Sequence, residues 1–360
     1  MTLKVGIIGA SFAKAAYLPA LANISDATVT GISSARLESA QAAADAFRIP
    51  RAYDNWEQML DEQTFDLVGI ATPPVYHMPM VLRALERGAH VLCEKPFAMN
   101  TAEAQTMLDQ AEVMGKLHMI GHELRFNPTR RKLKDLLDEG AIGTVRFVTV
   151  VNISNSWGDL ASRPFNDWWS DEAMGGGRMG ANGSHQIDLL RWWLGDIGAV
   201  NGDLRTLVPA RIGKDNGQPF TATADDFTQF QMEMQSGAVV NMLLSGAARH
   251  NVGNSVQFFG SEGTILLSND DEVLRVARHG EPFQELTLSD SNATLPGVNK
   301  GIWNVSFVGL MQEFTAAIRE GRALKAGATF FDGLKTQQAM DAVRQSSTER
   351  RWIQLTEITG

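Results

Sequence analysis

The sequence predicts an α/β Rossmann domain with a doubly wound parallel sheet, followed by an α+β domain built on a large, mainly antiparallel, open-faced sheet. Three observations carry this. Over the first 120 residues short apolar strands alternate with helical segments, the pattern of right-handed βαβ units. After about residue 123, period-2 segments joined by tight turns take over. At 360 residues and 44% hydrophobic content, the chain has material for two cores rather than one. The expected division is 1–123 and 124–360.

The elements follow in order. "LKVGII" is an apolar strand running into Gly9, and "AKAAYLPALAN" a helix. "ATVTGI" is a second strand and "RLESAQAAADAF" an Ala-rich amphipathic helix. Asp54 and Glu57 have capping-box spacing before the helix "NWEQML", and Asn100 and Glu103 have it before "AEAQTMLDQAEVMG". Between them lie the strand "FDLVGIA", a helix "MPMVLRALERG" stopped by Gly88, and the strand "HVLCE"; "LHMIG" closes the series. A helix then starts after Asn127-Pro128 and ends at Gly140, with the strand "TVRFVTVVNI" beyond. "DFTQFQMEM" and "AVVNMLL" flank a Ser236-Gly237 turn, "SVQFFG" and "TILLS" flank Ser261-Glu262-Gly263, and two late helices complete the domain.

Charge narrows the function. A net charge of −9 with no dominant basic face argues against a nucleic-acid partner. A single cysteine, Cys93, excludes an internal disulfide and fits a reducing compartment. No apolar run approaches the roughly 20 residues that span a bilayer, and no charged-then-apolar leader is apparent, so a cytoplasmic location is expected. The scattered histidines give no metal site on one helical face.

The turn after the first strand is the first candidate site. A dinucleotide-binding turn reads G-x-G-x-x-G, its glycines allowing a sharp turn, backbone approach to the pyrophosphate and close helix packing. Here Gly9 is present, while Ser11 and Lys14 occupy the other two places. A seryl hydroxyl can itself donate to a phosphate oxygen. "GASFA" also has the outline of a nucleophile elbow with Ala13 in its last place, but the rest of the chain does not follow a hydrolase layout.

"VLCEKPFAMNTAEAQTML", with "IATPPVYH" before it and "GGGRMGANGSHQIDLLRWWLG" after it, resembles the Gfo/Idh/MocA family of nicotinamide-dependent sugar and polyol oxidoreductases. The resemblance covers nearly the whole chain, including "HELRFNPTRRKLKDLLDEGAIGTV" and the late "DGLKTQQAMDAV". It implies that Gly9, Ala10, Ser11 and Phe12 line the pyrophosphate turn and that Ala71, Thr72 and Pro73 lie under the nucleotide, with His77 also on the cofactor side. It implies that Glu94, Lys95 and Pro96 flank the nicotinamide, with Pro96 after a cis bond, and that Lys95 and His185 are catalytic.

The second strand bears on cofactor choice. Enzymes selecting NAD usually carry Asp or Glu at its end for the ribose 2′-hydroxyl. "GISSAR" offers Ser33, Ser34 and Arg36 and no acid, which suits a 2′-phosphate. NADP is therefore expected, with NAD possible. For a carbohydrate or polyol substrate, the candidates are His122, Arg125, Asn127, Trp157, Trp168 and Asn182, together with Lys95 and His185, since a sugar ring demands aromatic faces and several hydrogen-bonding groups. The family's second motif, G-G-G-x-x-x-D-x-G-x-H, fits Gly175 to His185 except that Ala181 stands in place of the aspartate.

The expected reaction is hydride transfer between a nicotinamide and a secondary hydroxyl or keto group of a sugar, cyclitol or glycoside. Two alternatives stay open: redox-assisted glycoside cleavage without net cofactor turnover, as in glycosidase-like members of the family it resembles, and a non-catalytic sugar- or dinucleotide-sensing protein, which Ala181 and the altered turn permit. A homodimer or homotetramer through the open sheet face is expected, as the family commonly forms, with no membrane partner.

Overall fold

The computed structural model describes residues 2–268 and 272–360. They form two compact units: one runs to Asn127 and adds Asp290–Leu334, and the other comprises Pro128–Ser289 with Lys335–Thr359.

The first unit is built on a six-stranded parallel sheet: β1 (Leu3–Ile8), β2 (Ala27–Ser33), β3 (Ala52–Tyr53), β4 (Leu67–Ile70), β5 (His90–Cys93) and β6 (His118–Ile120). Its order, β3-β2-β1-β4-β5-β6, reverses direction beside β1. A crevice opens at such a reversal, outside the carboxyl ends of the strands. β1 and β4 are buried almost throughout, as strands covered on both faces must be.

Three local expectations change. The single helix after Gly9 is two short ones, Ser11–Ala15 and Tyr17–Leu21, broken at Ala16. Pro19 has no N–H to give the Ala15 carbonyl. That carbonyl instead accepts a bond from the Asn304 side chain at 2.6 Å. The helix Trp56–Glu62 is capped by Asn55, which accepts from the Gln58 amide at 3.0 Å, so Asp54 lies one residue too early. At the next helix Asn100 accepts from the Glu103 amide at 2.9 Å, but the Glu103 carboxylate receives the Met99 amide rather than that of Asn100.

The late helix Ile302–Glu320, expected with the second domain, packs in the first unit. Phe307, Val308, Leu310, Met311 and Phe314 join Ile7, Tyr17, Leu18 and Leu21 in one buried cluster. Periodicity shows that a helix has an apolar face, not which surface will cover it. The boundary expected at residue 123 therefore differs from these compact units.

The second unit holds a nine-stranded sheet. Its strands are β7 (Val145–Ile153), β8 (Ile197–Arg205), then, after a separate hairpin of β9 (Ala210–Ile212) and β10 (Pro219–Thr221), β11 (Phe227–Met234), β12 (Val239–Ser245), β13 (Gly253–Gly260), β14 (Gly263–Ser268), β15 (Val273–Arg278), β16 (Gln284–Glu285) and β17 (Ile353–Gln354). All pairs are antiparallel except β7 with β12. On β11, Thr228, Phe230, Met232 and Met234 point into the core while Gln229, Gln231 and Glu233 are exposed. β17 pairs with β8 only at Val200 and Ala199. Further along β8 the Gly202 and Leu204 amides donate to the Ser346 and Ser347 hydroxyls at 3.0 Å each, so the strand does not end on bare backbone donors. No helix among the described residues is long and apolar enough to cross a membrane.

Candidate active site

The carboxyl ends of the parallel strands bring most of the expected cofactor residues into one row. Backbone bonds set the row: Gly9 N–H donates to Ser33 at 2.9 Å, Ala71 N–H to Ile8 at 2.7 Å, Glu94 N–H to Ile70 at 2.9 Å and Gly121 N–H to Cys93 at 2.8 Å. Ser33, Gly9, Ala71, Glu94 and Gly121 thus lie side by side across β2, β1, β4, β5 and β6.

Gly9 has a φ of +101°, and a Cβ there would lie 2.3 Å from the Ala71 carbonyl oxygen. Only glycine fits that turn. Ala10 is buried, and Ser11 and Phe12 are exposed at its rim. Ser33 is 1% exposed and its hydroxyl has no hydrogen-bond partner among the described residues. A buried hydroxyl left unmatched is uncommon in a folded chain. Ser34 is half-buried, and Arg36 is exposed in extended conformation just ahead of the helix Leu37–Phe47.

His77 is placed differently from expectation. It is fully buried, with Nδ1 3.0 Å from the Phe97 carbonyl and Nε2 2.8 Å from the Thr72 carbonyl. Burial pushes its pKa below the ordinary value. Both ring nitrogens are engaged with backbone, so the ring ties the Thr72 loop to the loop after Pro96 and has no edge left for a ligand. Lys95 is half-buried, Pro96 is buried, and the peptide between them is cis.

Glu94 is buried, and its Oε1 accepts a bond from the Tyr17 hydroxyl at 3.0 Å. Burial pushes the carboxyl up to about 7, against the opposing pull of the Lys95 charge and the Tyr17 bond. Tyr17 was not among the expected site residues. Its spacing on a helix marks it as core, and nothing local shows that its hydroxyl meets a residue 77 positions away.

Of the expected substrate residues in this unit, His122, Arg125 and Asn127 are buried. Arg125 departs from the role expected of it: its guanidinium donates to Asp332 at 3.1 Å and to the Gly327 carbonyl at 3.4 Å. It stitches the late segment to the loop after β6.

In the second unit, Gly175–Gly177 lead into a π-helical stretch, Met179–Gly183, that continues as the helix Ser184–Leu194. Such stretches recur at functional sites. Ala181 and Asn182 lie on it half-buried, and His185 is buried in the first turn beyond. Four further residues shape the segment. The Asp225 carboxylate accepts from the Met179 amide at 2.8 Å and from the Thr228 hydroxyl at 2.7 Å, while burial raises its pKa. Buried Arg178 donates to the Asn152 amide oxygen, and burial lowers its pKa to about 10. Only their tertiary neighbours mark these residues.

Trp157 is 4% exposed, packed against Gly246 with Arg211 lying 5.4 Å over its ring, so it offers little face to a ligand. Arg211 is in turn paired with buried Asp226 at 3.2 Å. Trp168 is half-buried and stacked on Trp169 at 4.0 Å.

Two family profiles match this chain. One, described as an oxidoreductase family with an NAD-binding Rossmann fold, covers residues 3–122; the other, the GFO/IDH/MocA C-terminal domain, covers residues 130–266. The chain belongs to the Gfo/Idh/MocA oxidoreductases. Among curated relatives of this Gfo/Idh/MocA protein, levoglucosan dehydrogenase of Pseudarthrobacter phenanthrenivorans is 25% identical over 354 residues, covering 91% of this chain and 90% of that one. An uncharacterized oxidoreductase of Synechocystis is 26% identical, covering 99% and 97%. The solved structure of levoglucosan dehydrogenase in complex with NADH superposes with a TM-score of 0.88 at 25% identity, covering 99% of each chain. An oxidoreductase domain protein from Kribbella flavida gives 0.88 at 27% identity over 99% of this chain and 100% of that one. Within the Gfo/Idh/MocA matches, the first spans the whole row from Gly9 to Gly121 and the second the segment from Gly175 to His185.

Proposed function

We propose that this protein is an NADP-dependent sugar or polyol oxidoreductase that moves a hydride between the nicotinamide and a secondary hydroxyl or keto group. The observation that supports the reading most is the strand-end row in which the end of β2, the Gly9 turn and the Glu94-Lys95-Pro96 loop stand side by side. These residues fit a dinucleotide. Gly9 makes the sharp strand-to-helix turn that such a site needs, packed against the Ala71 carbonyl, and half-buried Ser34 and exposed Arg36 follow at the end of β2.

When bound, the nicotinamide takes or gives the hydride. The protein's part is proton transfer and positioning. In the oxidation direction His185 accepts the proton of the reacting hydroxyl, and the Lys95 ammonium donates a hydrogen bond to that oxygen as negative charge builds on it. General acid–base help of this kind contributes about 10²–10⁴-fold. Lys95→Ala or His185→Ala is expected to lower kcat/KM by at least that factor while fluorescence titration still shows cofactor binding. Full activity in either variant would overturn the assignment.

Choice of NADP rests on Ser33, Ser34 and Arg36 and on the lack of an acid at the end of β2. A second reading, redox-assisted cleavage of a glycoside, makes a different prediction for the cofactor. Stoichiometric NADPH formation separates the first reading from the second, which gives no net absorbance change.

A further inference from the structure

We infer that Tyr17 is a positioning residue for the nicotinamide end of the cofactor site, holding the buried Glu94 carboxylate so that its negative charge favours the oxidised, cationic nicotinamide over the reduced one. The inference rests on the reading above that Glu94, Lys95 and Pro96 flank that ring.

The geometry is specific. Tyr17 and Glu94 are 0% and 5% exposed, and the hydroxyl donates to Oε1 at 3.0 Å. The other oxygen, Oε2, receives the Lys95 amide at 3.3 Å. A Cβ on Gly121 would lie 2.7 Å from Oε1, so the carboxylate fills the space that glycine leaves at the end of β6. The phenol ring is itself fixed, 4.5 Å from Phe307.

The groups facing the pair agree on direction. Burial and the neighbouring Glu94, Cys93 and Glu123 push the Tyr17 phenol well above its ordinary value, so it remains a donor. Cys93, raised by burial, stays a neutral thiol. Lys95 is the cation that favours ionised Glu94, and Tyr17 adds the hydrogen bond. With the carboxyl near 7, the charge comes and goes across the working pH range. A cation bound beside it must pull it toward ionisation, and by reciprocity ionisation must tighten binding of that cation.

The test is equilibrium binding of NADP⁺ and NADPH to the full chain, by calorimetry and fluorescence, between pH 6 and 9. In the unaltered protein the ratio of NADP⁺ to NADPH affinity should rise about tenfold with pH, as expected of an opposite charge a few ångströms away. Tyr17→Phe, which keeps the ring, should move the midpoint up by about one to two pH units. Glu94→Gln should abolish the transition and also make Tyr17→Phe silent in the double variant. A ratio that does not change with pH in the unaltered protein, with both cofactors bound, would overturn this inference alone. So would an unmoved midpoint in folded Tyr17→Phe or a transition that survives Glu94→Gln. Failure of the unaltered chain to bind either dinucleotide would overturn the functional reading as well.

Discussion

Arg36 and Glu94 show how far a single side chain's surroundings decide its task. Arg36 is exposed beside half-buried Ser34, and its guanidinium is the proposed partner of a 2′-phosphate. Arg36→Ala should weaken NADPH binding about tenfold or more, the scale of a lost charge-assisted bond, and leave NADH binding unchanged. Equal losses for both would show that the residue does not read the phosphate. Burial penalises the charge of Glu94 and pushes its carboxyl up to about 7. The neutral form is favoured in the fold, so this group's contribution to stability is complete below the unfolded value. It then declines as pH rises toward 7, by at most about 3 kcal/mol. Glu94→Gln removes the titration. Its melting temperature should therefore gain on that of the unaltered protein between pH 5 and pH 8, and a constant offset across that range would refute the shift.

At the scale of elements, the Gly9 turn and the broken helix behind it form one device. Pro19 interrupts the helix, Asn304 takes up the Ala15 carbonyl, and Tyr17 enters the core at the start of the second short segment. In front, the turn packs its backbone on Ala71. Gly9→Ala is expected to cost about 1–3 kcal/mol in backbone strain, with the clash added to that. A lowered melting temperature and loss of dinucleotide binding should appear together; retention of both would show that the turn is not the cofactor's seat. The His77 ring, bonded to Thr72 and Phe97, explains why two strand-end loops keep their spacing without a direct ladder between them.

For the whole molecule, the nine-stranded sheet leaves alternate residues outward. Phe147 is 43% exposed and stacked on Phe259 at 4.5 Å, and Val239 is 38% exposed, among polar Thr149, Gln229, Gln231 and Asn241. Exposed apolar side chains rimmed by polar groups on a sheet face are a candidate interaction site. A homodimer or homotetramer is expected to form through it, and Phe147→Glu should shift the sedimenting species toward monomer. An unaltered protein that sediments as a monomer, or an unchanged oligomer in the variant, would remove the sheet face from that role.

Strand-helix alternation, the Gly9 turn, the Glu94-Lys95-Pro96 and Gly175–His185 segments, and the hairpins of the second sheet were all legible in the sequence. Each is a local signal: period, turn residue or short motif. The sequence did not disclose that Ile302–Glu320 completes the first core, that Arg125 pairs with Asp332, that His77 is closed by two carbonyls, or that Tyr17 holds Glu94. Those are pairings between residues far apart in the chain, and an apolar face or a lone polar group carries no record of its partner. Sequence by itself determined the kind of fold and the segments that bear chemistry; the tertiary structure decided which of those side chains are already engaged and what burial does to the charge of the rest.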